Sequence, residues 1–320
     1  SLLNSLGSVM TLDDLATHTT TFPDPVSVRY HGVDVYEHPP NCQGIAALLA
    51  LQELEGLSSS SLPHNSSAYL HMLIEVMRHA FADARWFVSD PEKVAIPLKE
   101  LLSEEYAAKR RALFDPLKAK ANVEHGSPLM SCDTVSFQVV DGKGNAVSMV
   151  NSNYMGFGTG LVPRGCGFTL QNRGNNFSLD SNSPNVLEGG KRPFHTIIPC
   201  MAIKDGELYC SLTNMGGFMQ PQGHVQLLLN MIDRGFEPQA AIDAPRFCIG
   251  AHSFGSVISI EDGIENDVID ELKALGHNVK LVKGHARSVF GRAQIIRRDP
   301  VTGVLWAGSD GRADGCAMGW

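Results

Sequence analysis

The chain has 320 residues, of which 43% are hydrophobic and 19% charged, and a formal net charge of −8. This is the composition of a packed globular protein, long enough for one large α/β domain or two small ones. The acidic balance, with no Lys/Arg run, argues against a nucleic-acid-binding surface, and no apolar stretch approaches the roughly 18 residues needed to span a bilayer.

In chain order, MTLDDLA starts a short helix, with Thr11 as N-cap and acids in the first turn. VSVRY and VDVYEH alternate as strands do. PPNCQGIAALLALQELEG reads as a helix closed by Gly56. A Ser-rich loop over 57–66 leads to a long helix over 68–88, apolar at 69, 73, 76, 77, 80, 81 and 84, which stops near Asp90-Pro91. A charged helix is expected over 103–114, then an exposed polar linker over about 115–131. Beyond it the chain turns strand-like: TVSFQVVD and AVSMVNSN flank a Gly-Lys-Gly-Asn turn as a hairpin. A second hairpin (PCMAIKDGELYCSLT), a helix ended by Gly235, a helix ended by Gly276 and a last hairpin (AQIIRRDPVTGVLWAGSD) follow. Hairpins imply antiparallel sheets, and two of them stacked between helices give an αββα sandwich.

The seven cysteines, at 42, 132, 166, 200, 210, 248 and 316, form no CxxC pair. A zinc ribbon is excluded by that spacing, and an odd, widely spread set does not make a disulfide framework. Reduced thiols in a cytoplasm are the expected state, although the chain opens at Ser1 without Met or an apolar leader, as it would if its N-terminus had been removed. No metal or other cofactor is expected: His71 and His79 lack ligand spacing. GFGTG at 156–160 is followed by no helix and reads as a turn rather than a phosphate loop.

The segment Ser131-Cys132-Asp133-Thr134-Val135 joins the linker to the first strand of the second half. A Thr opening a core strand after an exposed loop is where an N-terminal-nucleophile enzyme would cleave itself. Cleavage frees an α-amino group with a pKa of about 8, which can accept the proton of the same residue's hydroxyl. A Thr of high β-propensity at a strand start has the same appearance, and Cys132 is a weaker alternative nucleophile.

Three further stretches, SNYMGFGTGLVPRGCGFTLQNRGNNFS (152–178), GGKRPFHTIIPCM (189–201) and NMGGFMQPQGH (214–224), stand beside Asp133-Thr134, VVDGKGNAVS, MTLDDLA and PPNCQGIAALLALQELEG. Together, in this order and over almost the whole chain, they resemble the γ-glutamyltranspeptidase family. The resemblance implies a four-layer αββα Ntn-hydrolase sandwich with two stacked, mainly antiparallel sheets. It implies that residues 1–133 match the C-terminal part of the large subunit, whose N-terminal part is absent here, and that 134–320 match the small, catalytic subunit. Both subunits would come from one precursor and pair as a dimer of heterodimers. The resemblance places Thr134 on the self-cleaving nucleophile, Ser152 on a hydroxyl that bonds it, and Gly216 and Gly217 on the oxyanion-binding glycines. A simple turn would also account for the glycines, and an outward polar strand residue for Ser152.

Departures from the family pattern bear on the substrate. The acid that grips the α-ammonium of a glutamyl group is Asn176 here, a neighbouring Gln is Arg173, an Asn near the acyl pocket is Tyr154, and a Ser-Ser pair is His195-Thr196. A site that loses an anion and gains an Arg favours an acyl group with a carboxylate and no ammonium, similar to the oxamate amidohydrolase and glutaryl-cephalosporin acylase branch. Arg173 in a structural salt bridge is the competing reading. The function expected is hydrolysis of a small carboxylate-bearing amide through an acyl-enzyme. The alternatives are true γ-glutamyl transfer from glutathione-like donors and a non-catalytic, uncleaved member used in binding or assembly.

Overall fold

The computed structural model describes residues 2–120, 134–250 and 257–320. Two short helices, α1 (Leu2–Ser5) and α2 (Leu12–Ala16), precede the hairpin β1 (Val26–Tyr30) and β2 (Val33–Glu37). Helices α3 (Gly44–Glu55), α4 (Ser67–Phe87), α5 (Leu98–Leu101) and α6 (Glu104–Arg111) complete the first half. The second half runs β3 (Thr134–Val140), β4 (Ala146–Ser152), β5 (Cys200–Lys204), β6 (Glu207–Met215), α7 (Met219–Ile232), α8 (Pro238–Asp243), β7 (Phe247–Ile249), β8 (Ile258–Glu261), α9 (Asn266–Ala274), β9 (Val279–Val282), β10 (Arg292–Arg298) and β11 (Leu305–Ser309).

Local chemistry explains the ends of these elements. Thr11 caps α2 in a reciprocal capping box with Asp14, Ser66 caps α4 through the Tyr69 N–H, and Ser103 caps α6 through the Tyr106 N–H. Helix α3 is buried almost all round, because it lies between the sheet and α4. On α4 the buried polar residues are paired: Glu75 with Arg78 at 2.6 Å and His79 with Glu53 of α3 at 2.8 Å.

The main sheet is antiparallel in the order β1-β2-β5-β6-β10-β11. The β3–β4 hairpin stacks on it: Gln138 Nε2 donates to Thr213 Oγ1 of β6 at 3.1 Å, Ser211 Oγ donates to Gln138 Oε1, and Ser148 Oγ donates to the Leu212 carbonyl at 3.2 Å. Strand β6 is buried between this hairpin and the helices, which is why its burial does not alternate. Two stacked sheets with helices α3 and α7 on the outer face of the larger one are three layers of the expected sandwich. The outer face of the hairpin is apolar, with Val135, Phe137, Val139, Val147 and Met149 all exposed; among the described residues no fourth layer covers it.

Two features differ from the sequence expectation. A small third sheet, β7-β8-β9, contains a parallel pair, β8 with β9, whose strands of three and four residues are too short to show a period. The start of the expected linker is fastened rather than free: Ala119 is buried and its N–H donates to the Leu275 carbonyl, while the Lys120 N–H donates to Glu75. The rest of that linker, with Cys132 and Asp133, lies outside the described residues. No helix among the described residues is long and apolar enough to cross a membrane.

Candidate active site

Thr134 is the first residue of β3 and stands directly opposite Ser152, the last residue of β4. The pairing brings the two hydroxyls together: Thr134 Oγ1 donates to Ser152 Oγ at 3.0 Å. Ser152 Oγ also accepts the Tyr154 N–H at 2.9 Å. That bond holds Tyr154, almost fully buried, at a φ of 81°, a left-handed conformation that a bulky residue adopts only when its surroundings enforce it. Thr134 and Ser152 line a cavity of about 890 Å³ together with Met215, the last residue of β6.

Gly216 and Gly217 follow immediately, at φ values of 132° and 60°, which favour glycine over any residue with a Cβ. Their carbonyls are turned into the fold: Gly216 O accepts from Met219 N–H, and Gly217 O accepts from Gln220 N–H and, at 2.8 Å, from Gln43 Nε2. Neither glycine N–H donates to an acceptor among the described residues. Two adjacent N–H groups without an acceptor among the described residues thus lie at the N-terminal end of α7, a position where helix geometry favours negative charge.

Arg173 crosses behind Ser152. It is buried; its Nη1 donates to Thr196 Oγ1 at 2.9 Å and its Nη2 to the Ser152 carbonyl at 3.1 Å, and its guanidinium lies 5.6 Å from the centre of the Tyr154 ring. Gln43 closes the circuit by donating from one Nε2 to both the Thr196 and Gly217 carbonyls. His195 accepts the Ile197 N–H on Nδ1 and is pushed down to a pKa of about 3, first by burial and then by the Arg173 and His38 charges. Asn176, at the end of the short 3-10 turn that Arg173 opens, donates from Nδ2 to the Phe194 carbonyl at 3.0 Å.

The structure therefore links Thr134, Ser152, Tyr154, Arg173, Thr196 and Gly217 in one hydrogen-bonded chain, with Gly216, His195 and Asn176 as direct neighbours in sequence or space. The sequence alone does not single out Gln43, which lies in the segment that reads simply as a helix closed by Gly56. Nor does it single out the buried pair Glu37 and His224. His224 Nε2 accepts the Asn214 N–H at 3.2 Å, so its Nδ1 carries the proton that bonds Glu37 at 2.7 Å. This fixes the end of β6 two residues before the glycine pair.

Among the described residues two triplets of side chains have metal-like proximity, Glu37 with Cys200 and His224, and His71 with Glu75 and His277. Most of their donor atoms are engaged elsewhere, although Glu37 Oε2 is buried without a hydrogen-bond partner among the described residues. Both ring nitrogens of His224 are engaged, and burial pushes the Cys200 thiol well up, away from the thiolate a metal needs. His71 Nε2 faces the Asp115 carbonyl and its Nδ1 faces His277 Nε2, while Glu75 takes Arg78 and the Lys120 N–H.

The family model described as Gamma-glutamyltranspeptidase matches residues 1–320. The chain belongs to the γ-glutamyltranspeptidase family. It is 38% identical over 322 residues to the glutathione hydrolase-like YwrD proenzyme of Bacillus subtilis (strain 168), covering 100% of this chain and 60% of that protein. It is 31% identical over 320 residues to an oxamate amidohydrolase proenzyme of Klebsiella pneumoniae, covering 99% of this chain and 59% of that protein. The crystal structure of a cephalosporin acylase from Bacillus halodurans superposes with a TM-score of 0.89 at 40% identity, over 99% of this chain and 57% of that one. The chain thus spans about 60% of the length of these family relatives, and the Ntn-hydrolase sandwich expected from the sequence is the fold it shares with them.

Proposed function

We propose that this chain carries the catalytic centre of a self-processing N-terminal-threonine amidohydrolase that cleaves small amides whose acyl group bears a carboxylate. The observation that carries the reading is the placement of Thr134: it opens a strand, its hydroxyl bonds Ser152, and it lines a cavity with Met215, the residue that precedes two glycines whose N–H groups have no acceptor among the described residues. Scission of the bond before Thr134 would divide the chain into 1–133 and 134–320 and free the Thr134 α-amino group. That amine, with a pKa of about 8, takes the hydroxyl proton as Oγ1 attacks the amide carbonyl. The Gly216 and Gly217 N–H groups hold the resulting oxyanion. The amine proton then passes to the leaving nitrogen as the C–N bond breaks, leaving an ester on Thr134. Water, deprotonated by the same amine, hydrolyses the ester and releases the acid.

The residue types favour a carboxylate-bearing acyl group. Arg173 places a buried positive charge on Thr196 Oγ1 and the Ser152 carbonyl, next to the nucleophile's partner, and Asn176 supplies no anion for an α-ammonium. Burying an ammonium without a partner costs several kcal/mol.

The test is N-terminal sequencing of the full-length protein after a denaturing gel. A new chain beginning TVSFQVV is expected, and Thr134→Ala should stay a single chain. Cleavage at another bond, or cleavage of the Thr134→Ala protein, overturns the assignment.

A further inference from the structure

The cavity in front of Thr134 holds a guanidinium that the acyl-side argument does not use. Arg292, the first residue of β10, lines it together with Thr134, Ser152, Asn153 and Phe157. None of Tyr154, Arg173, Asn176, His195 or Thr196 lines this cavity. Thr134 therefore faces an open cavity that these five residues do not line; Arg173 meets it only through Ser152, whose carbonyl accepts from its Nη2.

The backbone of Arg292 is held rigidly. It pairs with Met215 in the β10–β6 register, one residue before the glycine pair. Gly291 just before it has a φ of 73°, and a Cβ there would come within 2.3 Å of the Met215 carbonyl oxygen, so only glycine lets the two strand ends approach this closely. The guanidinium is thus presented from a fixed point next to the oxyanion element.

The other charged groups of the cavity do not neutralise it. Arg312 is spent on Glu261, at 2.6 and 2.7 Å, and on Asp310 at 3.0 Å. His285 and Asp314 are exposed at the rim, and among the described residues no carboxylate lies within 4.0 Å of Arg292. A half-buried arginine facing open space beside a nucleophile has the geometry of a carboxylate receptor. The cavity, at about 890 Å³, is as large as pockets that enclose whole small-molecule ligands, more than a two- to five-carbon acyl chain requires.

We infer that Arg292 binds a carboxylate on the leaving amine, so that the preferred substrates are amides whose amine product is itself an acid, of the N-acyl amino acid or N-acyl aminobenzoate class. This rests on the amidohydrolase reading above, with Arg173 serving the acyl half and Arg292 the amine half.

The experiment compares glutaryl p-nitroanilide with glutaryl 3-carboxy-4-nitroanilide, which share an acyl group and differ in the leaving amine. In the full-length wild-type protein kcat/KM should favour the carboxylated anilide. Arg292→Gln should lower the ratio of the two kcat/KM values at least tenfold, and Arg292→Lys should retain part of it. A ratio that stays within twofold in a folded Arg292→Gln protein overturns the inference. Calorimetric binding of 5-amino-2-nitrobenzoate, the anionic product, is independent of turnover. It should weaken at least tenfold in Arg292→Gln, whereas equal binding overturns the role. If wild type hydrolyses neither anilide, the amidohydrolase reading fails by itself, and the binding measurement still decides Arg292.

Discussion

Replacing Gly216 by Ala probes the proposed oxyanion element most directly. Gly216 sits at a φ of 132°, where a residue with a Cβ pays of order 1–3 kcal/mol in backbone strain. The added Cβ would also stand 3.2 Å from both Gly291 Cα and Met219 Cβ, tight enough that the turn must give by a few tenths of an ångström. Donors to an oxyanion work only when pre-aimed, and losing one costs about 10²–10³ in kcat, or roughly 3–4 kcal/mol. We therefore expect kcat to fall by about a hundredfold or more, with KM changed by less than about threefold, because the ground-state amide oxygen uses these donors less than the oxyanion does. The assay is steady-state hydrolysis of glutaryl p-nitroanilide by full-length protein of verified thermal stability. Gly235→Ala is the matched control: its φ is 68° and no heavy atom lies within 4 Å of the added Cβ, so it should lose about 1 kcal/mol of stability without a comparable loss of kcat. A folded Gly216→Ala protein with kcat within threefold of wild type would refute the role of this turn.

Gly217→Val should behave likewise, losing on the order of a hundredfold in turnover; unchanged turnover in the folded protein would contradict the assignment of the pair. On the acyl side, glutaryl p-nitroanilide should exceed γ-glutamyl p-nitroanilide in kcat/KM by about tenfold or more, equivalent to roughly 1.4 kcal/mol, and ammonia should be released from oxamate. Arg173→Ala should cost carboxylate-bearing substrates most, whereas equal loss across charged and neutral amides would mark Arg173 as a purely structural brace between Thr196 and Ser152. His195 makes stability depend on pH. Its folded pKa of about 3 lies below the ordinary 6.5, so between these values the unfolded chain binds the extra proton and stability falls as pH is lowered, by up to about 1.4 kcal/mol per unit. His195→Asn, which can keep an acceptor for the Ile197 N–H, should flatten the dependence of chemical-denaturation midpoints by one proton; an unchanged slope would show that His195 is not a neutral buried group.

Much of the fold was legible because local chemistry announces it. The Thr11 cap and the alternation of VSVRY and VDVYE each act within a few residues, and the corresponding elements form where they were expected. The β3–β4 hairpin was equally visible, and its pairing sets Thr134 against Ser152 without help from the rest of the molecule. The short strands β7 to β9 carry no period, and the Ala119 N–H finds its acceptor at the Leu275 carbonyl, more than 150 residues away; neither leaves a mark in its own segment.

Which residues carry reactive groups, where a glycine is required and where a strand follows a polar segment can be read along the chain, because propensity, capping and turn chemistry are properties of neighbours in the chain. Tertiary structure alone decided what those groups do to one another. Gln43 reaches Thr196 and Gly217 across 153 and 174 residues of chain, Glu37 fixes the tautomer of His224 across 187, and Arg292 faces Thr134 only because β10 pairs with the end of β6. The physical reason is that a hydrogen bond or a charge acts over a few ångströms of space whatever the separation in sequence, and burial then sets its strength.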